Sequence, residues 1–138
     1  MMKKILIILI LFIPIISCSK LNFFGFGEKK NKFEELKINE YLWKASNDLM
    51  KNYPNTETDL KEGNISSGWI ITERNPNIRF RILIYILGYE LIEENLQIFT
   101  EKEFNNKGIW QRQRTSEAFN TNLKIKIMKD AESLEKNY

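Results

Sequence analysis

The chain has 138 residues, 43% hydrophobic and 28% charged, enough for one domain with one buried core. It has no histidine and a single cysteine, which excludes Ser-His-Asp and Cys-His catalysis, metal sites built on those residues, and intramolecular disulfides. The formal charge of +3 reflects 21 basic and 18 acidic residues, and a leader ending at Ser17 would remove Lys3 and Lys4 and leave 19 against 18. A mature chain so close to neutral gives no sign of a nucleic-acid partner.

Met1 to Lys4 is a short basic start, and residues 5–16 form an apolar run broken only by Pro14. A membrane-spanning helix needs about 20 apolar residues, so this shorter run fits the core of a secretory signal. Ser17 and Cys18 follow, and Ile15-Ile16-Ser17-Cys18 resembles a bacterial lipobox. The resemblance implies a covalent diacylglycerol on Cys18, cleavage before it, and an N-acyl chain on its new amine, with no other cofactor. The other reading is a short membrane anchor with an incidental cysteine. Three acyl chains anchor stably where one does not, because each buried CH₂ contributes about 0.8 kcal/mol. Ser19 stands where an aspartate retains enterobacterial lipoproteins at the inner membrane, so the resemblance implies the outer membrane, facing the periplasm.

Three parts are expected: a removed signal peptide at 1–17, a lipidated tether at 18–37 and a folded domain at 38–138. In the tether, Phe23, Phe24 and Phe26 surround Gly25 and precede a lysine-rich stretch. These phenylalanines are candidate membrane-interface contacts; capping the domain and riding on a solvated linker are the alternatives.

Ile38, Leu42, Ala45, Leu49 and Tyr53 fall on one helical face, with Asn39 as N-cap and Tyr53-Pro54 as the stop. Residues 55–67 are polar and read as a loop. Trp69 to Thr72 reads as a short strand and Asn75-Pro76-Asn77 as a turn. Residues 78–87 are the strongest strand: Ile78, Phe80, Ile82, Ile84 and Ile86 share one face, and Arg79, Arg81, Leu83, Tyr85 and Leu87 the other. A third strand at 96–104 leads through Asn105-Asn106-Lys107-Gly108, a hairpin turn, to a polar edge strand at 109–114. A long helix over 116–136 closes the chain, its buried stripe Phe119, Leu123, Ile127, Ala131 and Leu134. Helix, four-stranded antiparallel meander, helix predicts an α+β fold, a two-layer sandwich with both helices on one sheet face.

The stretch Ile38-Asn39-Glu40-Tyr41-Leu42-Trp43-Lys44-Ala45-Ser46 resembles the signature of an uncharacterised alphaproteobacterial lipoprotein family, a domain of unknown function. The resemblance continues at Gly68-Trp69-Ile70-Ile71-Thr72-Glu73 and across residues 79–87, and covers residues 38–134. The chain departs from it at 55–63, which is more hydrophilic than the family's pattern. At fold level the pattern is also similar to helix-grip modules of outer-membrane assembly lipoproteins and to the lipopolysaccharide-assembly lipoprotein that plugs its barrel partner. A fold likeness carries function only by association.

No G-x-S-x-G elbow or glycine-rich phosphate loop is present. The remaining acid–base candidates are carboxylates, Glu90, Glu93, Glu94, Glu101 and Glu103, which in a cleft could hydrolyse glycans and on a surface are simply solvated. The outward side of the main strand is the better lead. Trp69, Leu83, Tyr85, Leu87, Arg79 and Arg81 form a candidate partner surface, unless the tether or the 55–67 loop covers them. The expected function is a non-catalytic, periplasm-facing adaptor in envelope assembly, with membrane lipid and an outer-membrane assembly component as partners. The alternatives are a small-molecule or lipid carrier with a pocket lined by Ile82, Ile84, Leu123 and Ile127, and a carboxylate-dependent glycan hydrolase.

Overall fold

The structure, a computed structural model, describes residues 31–138. Cys18, Phe23, Phe24 and Phe26 lie outside the described residues. The first element is a short helix, α1 (Lys32–Leu36), capped by the Asn31 side chain and ended by Lys37 in the left-handed conformation at φ 56°. Phe33 and Leu36 pack against the core. Packing against the core therefore begins ahead of Ile38, within the stretch expected as tether. One turn of helix with two apolar contacts is too short for periodicity to announce it.

Helix α2 (Glu40–Met50) starts where expected, because the Asn39 side chain accepts the Leu42 amide at 2.8 Å. Asn39 does more than cap. Its side-chain nitrogen donates to the Tyr89 carbonyl at 2.8 Å and its amide to the Gly88 carbonyl at 2.9 Å, tying the helix start to the end of the main strand. Ile38, Leu42, Ala45 and Leu49 are buried, and Tyr53 packs partly buried against the core.

Residues 55–67 are not a loop. They fold as a hairpin of β1 (Glu57–Asp59) and β2 (Asn64–Ser66). Asp59 accepts the amides of Lys61 and Glu62 across the turn, and Gly63 supplies the left-handed residue at φ +65°. A Cβ on Gly63 would stand 2.4 Å from the Ile86 carbonyl oxygen, so this turn needs glycine for space as well as conformation. Each strand has three residues, and Ile65 alone is buried, so no apolar alternation marks them.

The remaining strands are β3 (Ile70–Ile71), β4 (Ile78–Ile86), β5 (Leu96–Asn106) and β6 (Ile109–Gln113), with a 3₁₀ turn (Glu93–Asn95) before β5. The sheet is antiparallel throughout, in the order β1-β2-β4-β5-β6, with β3 also paired to β4. The meander is as expected, widened from four strands to six. At the β5–β6 turn, Lys107 and Gly108 both have positive φ, the requirement of a two-residue type I′ hairpin. Helix α3 (Glu117–Lys136) ends the chain. Its Tyr138 end meets Tyr41 and Lys44 of α2, so the two helices run antiparallel.

Both helices lie on one face. The core joins Leu42, Ala45, Leu49 and Met50 of α2, Leu123, Ile127 and Ala131 of α3, and the inward residues Ile65, Ile82, Ile84, Ile86, Leu96 and Ile98 of the sheet. This is the two-layer α+β fold. Two details differ from the pattern. Phe119 is 37% exposed instead of buried. The carrier pocket is absent at its expected place: Ile82, Ile84 and Ile127 are fully buried and Leu123 is 8% exposed, as members of the packed core.

Candidate functional site

The outward side of β4 and β5 is set by the same two-residue period that buries the isoleucines. Register places Arg79 opposite Glu103, Arg81 opposite Glu101, Leu83 opposite Phe99 and Tyr85 opposite Gln97. All six residues of the expected partner surface, Trp69, Arg79, Arg81, Leu83, Tyr85 and Leu87, belong to this side of the molecule. None of the described helices covers it.

The face has two halves. One half is ionic and aromatic. The Arg79 guanidinium lies between two indoles, 4.3 Å from the Trp69 ring centre and 4.2 Å from that of Trp110. It also donates to Glu103 from Nε at 2.8 Å and from its terminal nitrogen at 2.6 Å. Arg81 lies 5.0 Å from the same Trp69 ring and binds one oxygen of Glu101 at 2.5 Å, while Arg112 binds the other oxygen at 3.0 Å. Stacking on indole and pairing with carboxylate use the flat guanidinium from its faces and its edge at once, which a lysine cannot do. Three arginines here share two glutamates, so the cluster keeps one excess positive charge, and the Arg112 side chain is 77% exposed.

The other half is apolar. Tyr85 and Phe99 meet edge to face at 5.9 Å. Phe99 is 50% exposed, Leu87 56% and, beside the arginines, Ile71 59%. Large apolar side chains gathered on one uncovered sheet face mark an interaction surface more than scattered ones do.

Trp110 and Arg112 were invisible as members of this site, because β6 reads as a polar edge strand. A signal was present nonetheless. Arg-x-Arg at 79 and 81 and Glu-x-Glu at 101 and 103 share the two-residue spacing of a strand face, and a hairpin pairing of the two strands brings opposite charges together. Arg79 and Arg81 are thus held in place, not freely solvated.

Glu101 and Glu103, the paired carboxylates of the hydrolase reading, are both engaged by arginine. Among the described residues no group of three or more Asp, Glu or Cys side chains is placed to hold a metal ion. At the far end of the molecule, where α1, α2 and Tyr89 meet, Lys44 bonds Glu40 at 2.7 Å. That bond holds the Glu40 carboxyl below its ordinary range and raises the Lys44 ammonium, each mainly through the other's hydrogen bond. Local desolvation, and then Glu34, push the Tyr89 phenol up. A hollow of about 330 Å³ lies at this end, lined by Asn31, Glu40, Tyr41, Tyr89, Glu90 and Glu135, and the shifts in it are those of a surface ion pair and a phenol beside a carboxylate.

The described residues therefore define a two-layer α+β domain with an uncovered aromatic and arginine-rich sheet face. The chain belongs to the family of the Domain of unknown function (DUF3576), matched over residues 36–136. No curated protein and no solved structure matches it. Among the described residues no helix is long and apolar enough to cross a membrane.

Proposed function

We infer that this protein is a non-catalytic, lipid-anchored accessory factor of the cell envelope, an adaptor that holds a protein partner on the outer face of its sheet. The observation that carries this reading is the uncovered face itself: an apolar half of Leu87, Phe99 and Tyr85 beside a preorganised arginine cluster with excess positive charge. An arginine already stacked and paired loses little side-chain freedom on binding. The partner's chemistry follows by complementarity: an apolar patch bordered by a carboxylate that can meet Arg112.

The lipobox-like Ile15-Ile16-Ser17-Cys18 supports the location. A diacylated and N-acylated Cys18 would hold the domain at a membrane surface, and Ser19 favours the outer membrane with the domain in the periplasm. The resemblance of the 38–46 stretch to an alphaproteobacterial lipoprotein signature agrees with this, as does the coarser likeness to assembly lipoproteins of helix-grip shape. An outer-membrane assembly component is the partner class this reading favours. Within that stretch Ile38 is buried and Asn39 bonds the chain just past β4, which suits a scaffold role for these residues.

The test is photo-crosslinking in intact cells from Leu87 and Phe99, with Ile125 on the exposed side of α3 as control position. A defined outer-membrane assembly protein crosslinked from the sheet face and not from Ile125, and lost in Arg112→Glu, is the expected result. Equal crosslinking from both faces, or none from the sheet face, would sink the adaptor reading.

A further inference from the structure

The two helices differ in length, and this leaves a second opening on the opposite side of the sheet. Helix α2 has 11 residues and α3 has 20, about 17 and 30 Å at 1.5 Å per residue. The antiparallel pair is aligned at the Tyr41–Tyr138 end, so the first turns of α3 extend past Met50 and face the sheet without a helical neighbour. Phe119 packs edge-on to Phe80 at 6.2 Å there.

A groove of about 390 Å³ opens at this point, between the start of α3, the ends of β4 and β5, and the turn before β4. Ile78, Phe80 and Phe119 give it apolar walls, and Arg74 and Lys102 also line it. Two of the three threonine hydroxyls that line it are spent within the protein: Thr72 Oγ1 donates to the Asn75 carbonyl at 2.7 Å, and Thr100 Oγ1 bonds Asn120 at 2.5 Å. Among the described residues neither Arg74 nor Lys102 is ion-paired with a carboxylate.

Size, apolar walls and a few polar groups are the ordinary features of a small-molecule site. The two cations select an anion. Walls that are mainly apolar select an alkyl chain over a peptide, most of whose amides would lose water without finding partners. We propose that this groove binds a long-chain fatty acid, its alkyl chain against Ile78, Phe80 and Phe119 and its carboxylate at Arg74 and Lys102. The site is separate from the outer sheet face and stands or falls independently of the adaptor reading.

The test uses the mature chain from Ser19 onward without lipid, which retains every core residue from Ile38 to Ala131, with its cooperative thermal transition as the check on folding. Fluorescent cis-parinaric acid is titrated below its micellar concentration and displaced with palmitate. Saturable one-to-one binding is expected. The double variant Arg74→Ala/Lys102→Ala should weaken palmitate about tenfold, a loss equivalent to about 1.4 kcal/mol, and leave methyl palmitate unchanged. Phe119→Asp should abolish binding. Ser116→Trp, at a groove residue whose side chain makes no cap hydrogen bond, should also do so and guards against misfolding of the first variant. Absence of saturable binding by the folded protein, equal palmitate affinity in the double variant, or undiminished binding in folded Ser116→Trp would overturn the proposal.

Discussion

The two faces of β4 share one backbone and are held by opposite chemistry. Inward, Ile82, Ile84 and Ile86 are sealed under α2 and α3, and the stabilisation comes from removing apolar area from water. Outward, Arg79 and Arg81 are fixed by indoles and glutamates while remaining partly open to solvent. Around these three isoleucines the inner face has no spare capacity, because every side chain already has its neighbours; it opens at the Ile78–Phe80 end, beyond the reach of α2. The outer face is ordered without being covered. A strand can thus supply a fold from one side and a recognition surface from the other.

Substitutions can break this comparison. Ile84→Ala should cost about 2–5 kcal/mol, since it opens a cavity in a close-packed core; chemical denaturation measures it. Leu83→Ala, one residue along and facing out, should cost under about 1 kcal/mol. Similar losses at the two positions would mean that something covers the outer face. Asn39→Ala should cost about 1–2 kcal/mol, because it removes the α2 cap and the bond to Tyr89 together. An Asp at this position keeps the cap but cannot donate to the Tyr89 carbonyl, so Asn39→Asp should recover only part of the loss.

Smaller effects sharpen the contrast. Arg79→Lys should cost about 1 kcal/mol, because an ammonium cannot stack between Trp69 and Trp110 while pairing with Glu103; a change in tryptophan emission should accompany it. Among the described residues the Ser46 hydroxyl is the one buried side-chain polar atom without a partner. Ser46→Ala should therefore raise stability by up to about 1 kcal/mol, read as a higher Tm. The smallest effect is at Glu40 and Lys44. The depressed Glu40 contributes stability above the ordinary value of 4.5, lost as pH falls through its folded value. The raised Lys44 contributes below 10.5, lost as pH rises through its folded value. Lys44→Met should return the Glu40 carboxyl toward its ordinary titration, followed by carbon NMR.

How legible these features were in the sequence follows from how many residues carried each one. The isoleucine alternation of β4 and the stripe of α3 are long, and both elements lie within a residue of their expected ends. The β1–β2 hairpin rests on one buried isoleucine and a glycine turn, too little for a periodic signal. The outer-face residues of β4 were readable from the same alternation. Trp110 was not, because its role depends on register across two strands. Phe119 sits at the correct helical spacing for burial and is exposed because α2 is too short to reach it, a fact about the neighbour.

The meander also bears on the order in which the molecule assembles. Hairpins close short loops, and their contacts form early and at low entropic cost. The antiparallel pairing of α2 with α3 instead joins segments at opposite ends of the described residues. Until that pairing forms, Ile82, Ile84 and Ile86 have a sheet but no roof. Helix docking is then the step that commits the chain, and a sheet with its isoleucine face bare is the species most prone to stick to another copy. The interval before the helices close is therefore the moment of greatest risk.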